Sequence, residues 1–136
     1  MDTTESLLTY LNDLFIQEIK SVGYRVYPVD APPDTPKPYI VNQVTFNQAE
    51  FPMDTGLLIV HVWGKTAAEV LGIKTTIYRL LQYKNIRTNE ILNCQTWFFS
   101  DGFIPDEPGI WHYIIQFNLR LCKSAELDDV IERDTS

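Results

Sequence analysis

The chain is poor in the residues that most often announce chemistry. It holds two cysteines, two histidines and six glycines in 136 residues. Cys94 and Cys122 are too few for a disulfide framework and form no CxxC pair. A reducing compartment is expected, with both thiols buried as small apolar groups. The glycines never cluster, so no glycine-rich phosphate cradle is written here. No G-x-S-x-G elbow occurs. His61 and His112 both fall inside predicted strands, where a half-exposed strand histidine is the plainer reading. A hydrolase would need one of them beside an acid and a nucleophile. Asp101, Asp106 and Glu107 share one stretch, but their spacing does not fit an EF-hand loop and reads as a solvated acidic turn. No catalytic residue, metal ligand or cofactor is therefore nominated, and the expectation is a protein that is not an enzyme.

Two further shortages narrow the class. No apolar run approaches the roughly 18 residues of a membrane span, and Asp2 and Glu5 stand where a signal peptide would be positive. A soluble protein of the cytosol in which it is made is expected, with no membrane partner. Lys and Arg do not cluster, so direct nucleic-acid binding is not expected. Net charge is −7, and residues 126–136 (ELDDVIERDTS), with five acids and one base, carry −4 of it. The reading is a single domain over 1–123 followed by an acidic tail, 124–136, expected to be disordered in the free protein.

What is present is regular patterning. Leu7, Leu8, Leu11, Leu14, Phe15, Ile19 and Val22 recur at steps of three and four, which predicts a helix over about 3–21. Asp2 and Glu5 stand at capping-box spacing before it, and Gly23 is a natural left-handed stop. A second helix opens at Thr66, where TAAE sets Thr66 as N-cap and Glu69 three residues on. It should end near Tyr83, with Asn85 able to take the left-handed position. Between and after these lie strand-like runs: YRVYP, YIVNQVTF (39–46), LLIVHVW (57–63), ILNCQTWFF (91–99) and WHYIIQFNLRL (111–121). The last alternates almost perfectly with period two. The order predicts an α+β fold: a mostly antiparallel sheet of four to five strands, two α-helices on one face, and long exposed loops at 47–55 and 100–109.

Two features do not fit a self-sufficient domain. Residues 28–38, PVDAPPDTPKP, hold five of the eight prolines. Proline fixes φ and donates no backbone hydrogen bond, so this stretch must be an exposed, semi-rigid connector. Second, LLIVHVW is apolar on both faces: Leu58, Val60 and Val62 on one, Leu57, Ile59, His61 and Trp63 on the other. Two helices cover one face of such a sheet, so a neighbouring subunit or folded-back loops must cover the second. The aromatics Trp63, Trp97, Phe98, Phe99, Trp111 and Tyr113 are read as core, since the Lys and Arg that a base-stacking platform needs are not interleaved with them.

The stretch GYRVYPVDAPPDTPKPYIV, the strand ending in HVW, the helix GKTAAEVLGIKTTIYRLL and the final WHYIIQFNLRL together resemble the tail-completion or tail-terminator proteins of long-tailed bacteriophages. The resemblance covers roughly residues 5–122. It implies a structural virion protein, assembled in the host cytoplasm and sited at the head–tail interface. Such a protein caps the tail tube as a ring, usually a hexamer, and joins it to the head connector. The implied partners are further copies of the chain, the tail tube protein and the head-connector or head-completion protein. The candidate interface residues are Pro32, Pro33 and Pro36 in the connector, Phe51 and Met53 in the first loop, Phe103 and Ile104 in the second, and Leu57 and Ile59 on the uncovered strand face. The alternative reading is a small α+β module that binds a cellular protein or a small ligand in a pocket between sheet and helices.

Overall fold

The computed structural model describes residues 3–50, 53–88, 92–105 and 108–123. Asp2, Phe51 and the acidic tail lie outside them. Two helices, α1 (Thr3–Lys20) and α2 (Ala67–Leu81), accompany six strands: β1 (Val26–Tyr27), β2 (Tyr39–Glu50), β3 (Met53–Gly64), β4 (Asn85–Thr88), β5 (Leu92–Ile104) and β6 (Trp111–Lys123). The strands form one sheet in the order β1-β2-β3-β6-β5-β4. The α+β class and the two helices are as expected. The sheet differs in two ways: it has six strands rather than four to five, and β1 runs parallel to β2 while the other neighbours are antiparallel.

The extra strand is β4, NIRT, which is too short to show a period. The long loops also need correction. Residues 48–50 and 53–55 pair with each other, so most of 47–55 extends the β2–β3 hairpin. Residues 100–104 continue β5 against β6. Each extension follows a β-bulge, at Phe46/Gln48 and at Phe98/Ser100, that resets the alternation and hid the strand from a strict period-two reading.

Helix ends obey local chemistry. Gly23 has φ 97 and donates its N–H to the Lys20 carbonyl at 2.9 Å, closing α1 as predicted. Thr66 caps α2 by accepting from the Glu69 N–H at 3.1 Å, and the Glu69 carboxylate accepts from the Lys65 N–H at 2.7 Å. At the other end Tyr83, with φ 55, takes the left-handed position expected of Asn85. Its ring is 79 % exposed there.

Both helices pack on the same side of the sheet. Leu11, Phe15, Ile16 and Ile19 of α1 and Val70, Ile73, Ile77 and Leu81 of α2 meet Ile40, Leu58, Val60, Val62, Ile115, Phe117, Leu119 and Leu121. Each large apolar side chain fully buried in this way contributes about 1.5–3 kcal/mol. Polar pins fix the layers. Thr96 donates its hydroxyl to the Leu81 carbonyl at 2.6 Å, and Gln82 accepts from the Phe98 N–H at 2.6 Å, tying the end of α2 to β5. Buried Asn42 of β2 donates to Asn12 of α1 at 2.7 Å, and Asn12 donates to the Pro28 carbonyl at 3.4 Å. Lys84 and Glu18 form a half-exposed ion pair at 3.0 Å.

Candidate docking surface

Strand pleat decides which residues stand opposite the helices. On β3 they are Thr55, Leu57, Ile59, His61 and Trp63; on β6, His112, Ile114, Gln116, Asn118, Arg120 and Cys122. β2 adds Tyr39, Val41, Gln43 and Thr45, and β5 adds Gln95, Trp97, Ser100 and Ile104. No described helix lies on this face. Val41 and His112 are buried on this face, and Leu57, Ile59, His61, Trp63 and Ile114 are half-buried there, whereas Leu58, Val60 and Val62 on the opposite face are fully buried.

One end of the face is an aromatic rank. Tyr39 stacks on Trp63 with ring centroids 5.0 Å apart, and Trp63 on His112 at 4.1 Å and 14°. His112 Nε2 lies 2.9 Å from His61 Nδ1, a hydrogen bond between imidazoles. One ring must donate and the other accept, so the two nitrogens cannot both carry protons. Burial, and then the charge of His112, hold the His61 pKa below its ordinary 6.5. The sequence puts these histidines 51 positions apart. Only the β3–β6 register, Trp63 opposite His112, makes them diagonal neighbours.

The helix side has a separate rim. Phe103 and Trp111, 44 % and 40 % exposed, pack edge-to-face at 5.8 Å beyond α2. Beside them Tyr113 donates to Asp101 at 2.6 Å, and Lys74 of α2 pairs with the same carboxylate at 3.1 Å. Burial pushes the Asp101 carboxyl up, but the Tyr113 and Lys74 contacts outweigh it and hold it below its usual range. Burial, and then the bond to Asp101, push the Tyr113 phenol up. These contacts pin α2 to β5 and β6.

The proline connector is exposed as expected. Pro32, Pro33 and Pro36 all face solvent, and Val29 is 75 % exposed. Inside it the Thr35 N–H donates to the Pro32 carbonyl at 3.2 Å, with Asp34 at φ 62. Proline second and a positive φ third is the pattern of a type II turn. Arg25 donates to the Pro36 carbonyl at 2.7 Å. The connector is therefore a held turn between β1 and β2.

The candidate residues do not form one site. Leu57, Ile59 and Ile104 share the helix-free face; Phe103 points to the helix side; the prolines form a separate projection. The backbone of Met53 begins β3, and Phe51 lies outside the described residues. Two sequence readings are corrected. Cys122 is exposed at the end of β6, while Cys94 is buried, its thiol pushed up to about 12 by burial and then by Cys122. Core packing explains Phe98 and Tyr113 but not Trp97, Phe99 or Trp111, which are 37 %, 55 % and 40 % exposed. The bulge after Phe98 turns Phe99 outward. Among the described residues, no three His, Cys, Asp or Glu side chains are grouped to hold a metal ion.

No protein-family model matches the chain, and no curated protein matches it by sequence. Solved structures do match in fold. One is a chain from the virion of a native gene transfer agent particle, with a TM-score of 0.61 and 13 % sequence identity. The match covers 86 % of this chain and 93 % of that one. At that identity the likeness shows the fold alone.

Proposed function

We propose that the protein is a noncatalytic structural component of a phage-type virion. In this reading it closes the tail tube as a ring of copies and joins it to the head connector. The observation that carries it is the open sheet face. Half-buried Leu57, Ile59, Trp63 and Ile114 are apolar surface that the described part of the chain leaves uncovered. Covering apolar area is worth about 25 cal/mol per Å2, so a neighbouring subunit gains by sitting there. The virion likeness of the fold and the resemblance to tail-completion proteins support the same reading. Exposed Pro32, Pro33 and Pro36 give it a second contact, preformed by the turn and so cheap to order on docking.

Electron microscopy of purified tail tubes mixed with the protein tests this directly. Ring density at the tube end is expected; a bare end at saturating protein rejects the reading. Deleting residues 31–36 should leave a folded monomer that fails to complete virions. Normal virion yield from that variant would remove the connector from the interface.

A further inference from the structure

The six-stranded sheet has two outer edges, and among the described residues each leaves backbone groups unmatched. At one edge β1 covers only Ile40 and Val41 of β2, which runs on to Glu50. The other edge is β4, which has a strand on its inner side alone. Unpaired edges are templates on which a further strand can form.

Three features of these edges agree. The first is direction. From β2 through β3, β6 and β5 to β4 every neighbour is antiparallel, so β2 and β4 point the same way. A copy rotated about an axis along the strands therefore brings its β4 beside β2 in parallel. The second is hydrogen-bond phase. Ile40 donates its N–H outward to the Arg25 carbonyl at 2.9 Å, so Ile40, Asn42 and Val44 direct their backbone groups outward. Val44 lies beyond the end of β1. Thr96 donates to the Lys84 carbonyl at 3.0 Å, so Lys84 and Ile86 face β5 while Asn85 and Arg87 face outward. In a parallel ladder Val44 then comes level with Ile86, donating to the Asn85 carbonyl and accepting from the Arg87 N–H. The third is facing. Val44 packs against the core beneath the helices, and Ile86 belongs to that core. Level partners share a face, so the helices of both copies stay on one side. A phase shifted by one residue would have put them on opposite sides.

The side chains fit the same register. A groove of about 570 Å3 runs beside Gln43, Val44 and Thr45, walled by α1 and by Pro28 and Val29. Tyr83 and Val29 are the most exposed large apolar side chains described, and they stand one at each edge. The register brings Tyr83 level with Val41, where β1 ends and Val29 follows. It brings Lys84, which holds Glu18 of its own chain at 3.0 Å, level with Asn42 and so toward Asp13 in the groove wall. Asp13 makes no ion pair among the described residues.

We propose that the outer edge of β2 is a docking site for β4 of a second copy, paired in parallel with Val44 level with Ile86. Successive copies then join head to tail into one sheet. The contact is heterologous: each copy gives β4 to one neighbour and receives it from another, which closes a ring or runs on as a filament. So short a strand pairs weakly between free copies, and closure supplies the effective concentration. The helix-free faces stay on one side of the joined sheet, so this contact adds to the one proposed above. It deepens the ring reading by naming the contact between subunits, and rests on that reading for closure alone.

Two full-length variants test it, Thr45→Cys and Arg87→Cys, each with Cys122→Ser to remove the exposed native thiol. Both positions are exposed, and the register sets them level on the helix-free side, within disulfide reach. Oxidised at about 1 mM, near the effective concentrations that closure supplies, an equimolar mixture should give at least about threefold more linked dimer than either variant alone. A mixture no better than its components overturns the proposal. So does equal linking of Thr45→Cys alone, which would mean a two-fold contact of β2 with β2. Hydrogen exchange of the Val44 amide in the unmodified chain reads the same contact and decides alone if the cysteine variants do not fold. It should slow at least about threefold between about 0.02 and 1 mM, and Arg87→Pro, which removes an outward N–H from an edge strand, should abolish the slowing. Exchange that ignores concentration overturns the pairing. Neither experiment contains a tail tube. Bare tube ends would therefore reject the ring reading and leave the pairing standing, while a failed link would reject the pairing and leave ring density standing.

Discussion

The two faces of the sheet are built from the same strands and treat their side chains in opposite ways. Toward the helices, Leu58, Val60 and Val62 of β3 and Ile115, Phe117, Leu119 and Leu121 of β6 are excluded from water. On the other side their immediate sequence neighbours Leu57, Ile59, Ile114 and Trp63 keep part of their surface wet, interspersed with His61, Gln116, Asn118 and Arg120. The first face holds the monomer together. The second mixes apolar and polar side chains, and in the proposed reading it is the surface that a neighbouring subunit covers. In that reading stability and association lie on opposite faces of the same sheet, and substitutions on the two faces should separate them.

The largest effect is expected from Phe117→Ala. Phe117 is fully buried and packs edge-to-face with Phe98 at 6.2 Å. Its truncation should cost about 3–5 kcal/mol, read as a fall in the urea midpoint. Ile59→Ala on the open face should cost less, about 1 kcal/mol by the same measure, because its side chain is only partly buried. Ile59→Ala should instead weaken association in any assay of assembly. Equal destabilisation by the two would erase the distinction between the faces.

The next effect lies where the helix layer meets the sheet. Gly64 ends β3 two residues before the α2 cap, and a Cβ there would stand 2.5 Å from Val70 Cγ2 and 3.2 Å from Glu69 Oε1. Val70 is fully buried and cannot simply swing away. Gly64→Ala should therefore cost about 1–3 kcal/mol through overpacking. Gly72→Ala, on the exposed side of α2 with nothing within 4 Å of its Cβ, should stabilise slightly, by about 0.5–1 kcal/mol. Thermal unfolding of the pair checks both signs at once.

How far the sequence discloses this arrangement follows from the range of each interaction. The helices, the Gly23 stop and the Thr66 cap depend on residues a turn apart and are legible. So is the double-sided apolar character of LLIVHVW, which the open face reproduces. The hairpin extensions were hidden because each bulge shifts the alternation by one residue. β4 was hidden by its length. The aromatic rank was hidden because Tyr39, Trp63 and His112 become neighbours only through strand register. The left-handed residue at Tyr83 went to the less expected side chain because pairing of Asn85 into β4 claims it for the strand.

The smallest effect is the one most specific to the open face. His61 is held below its ordinary pKa of 6.5 by burial and by His112, with its ring also stacked at 5.7 Å on Trp63. As pH falls through that ordinary value the unfolded chain takes up the proton before the folded one does. The unfolded state then binds more protons, so stability falls with pH from about 6.5 downward until the folded ring also titrates. The urea midpoint should therefore be lower at about pH 5.5 than at about pH 7.5. Asp101 keeps its charge over this window because its contacts hold its carboxyl below the usual carboxylate range. His61→Gln should flatten the slope, and His112→Gln should reduce it by removing the second cause while leaving burial. A slope unchanged by His61→Gln would mean that the imidazole pair is already solvated like free histidine, and that the open face is wetter than its stacked rings imply.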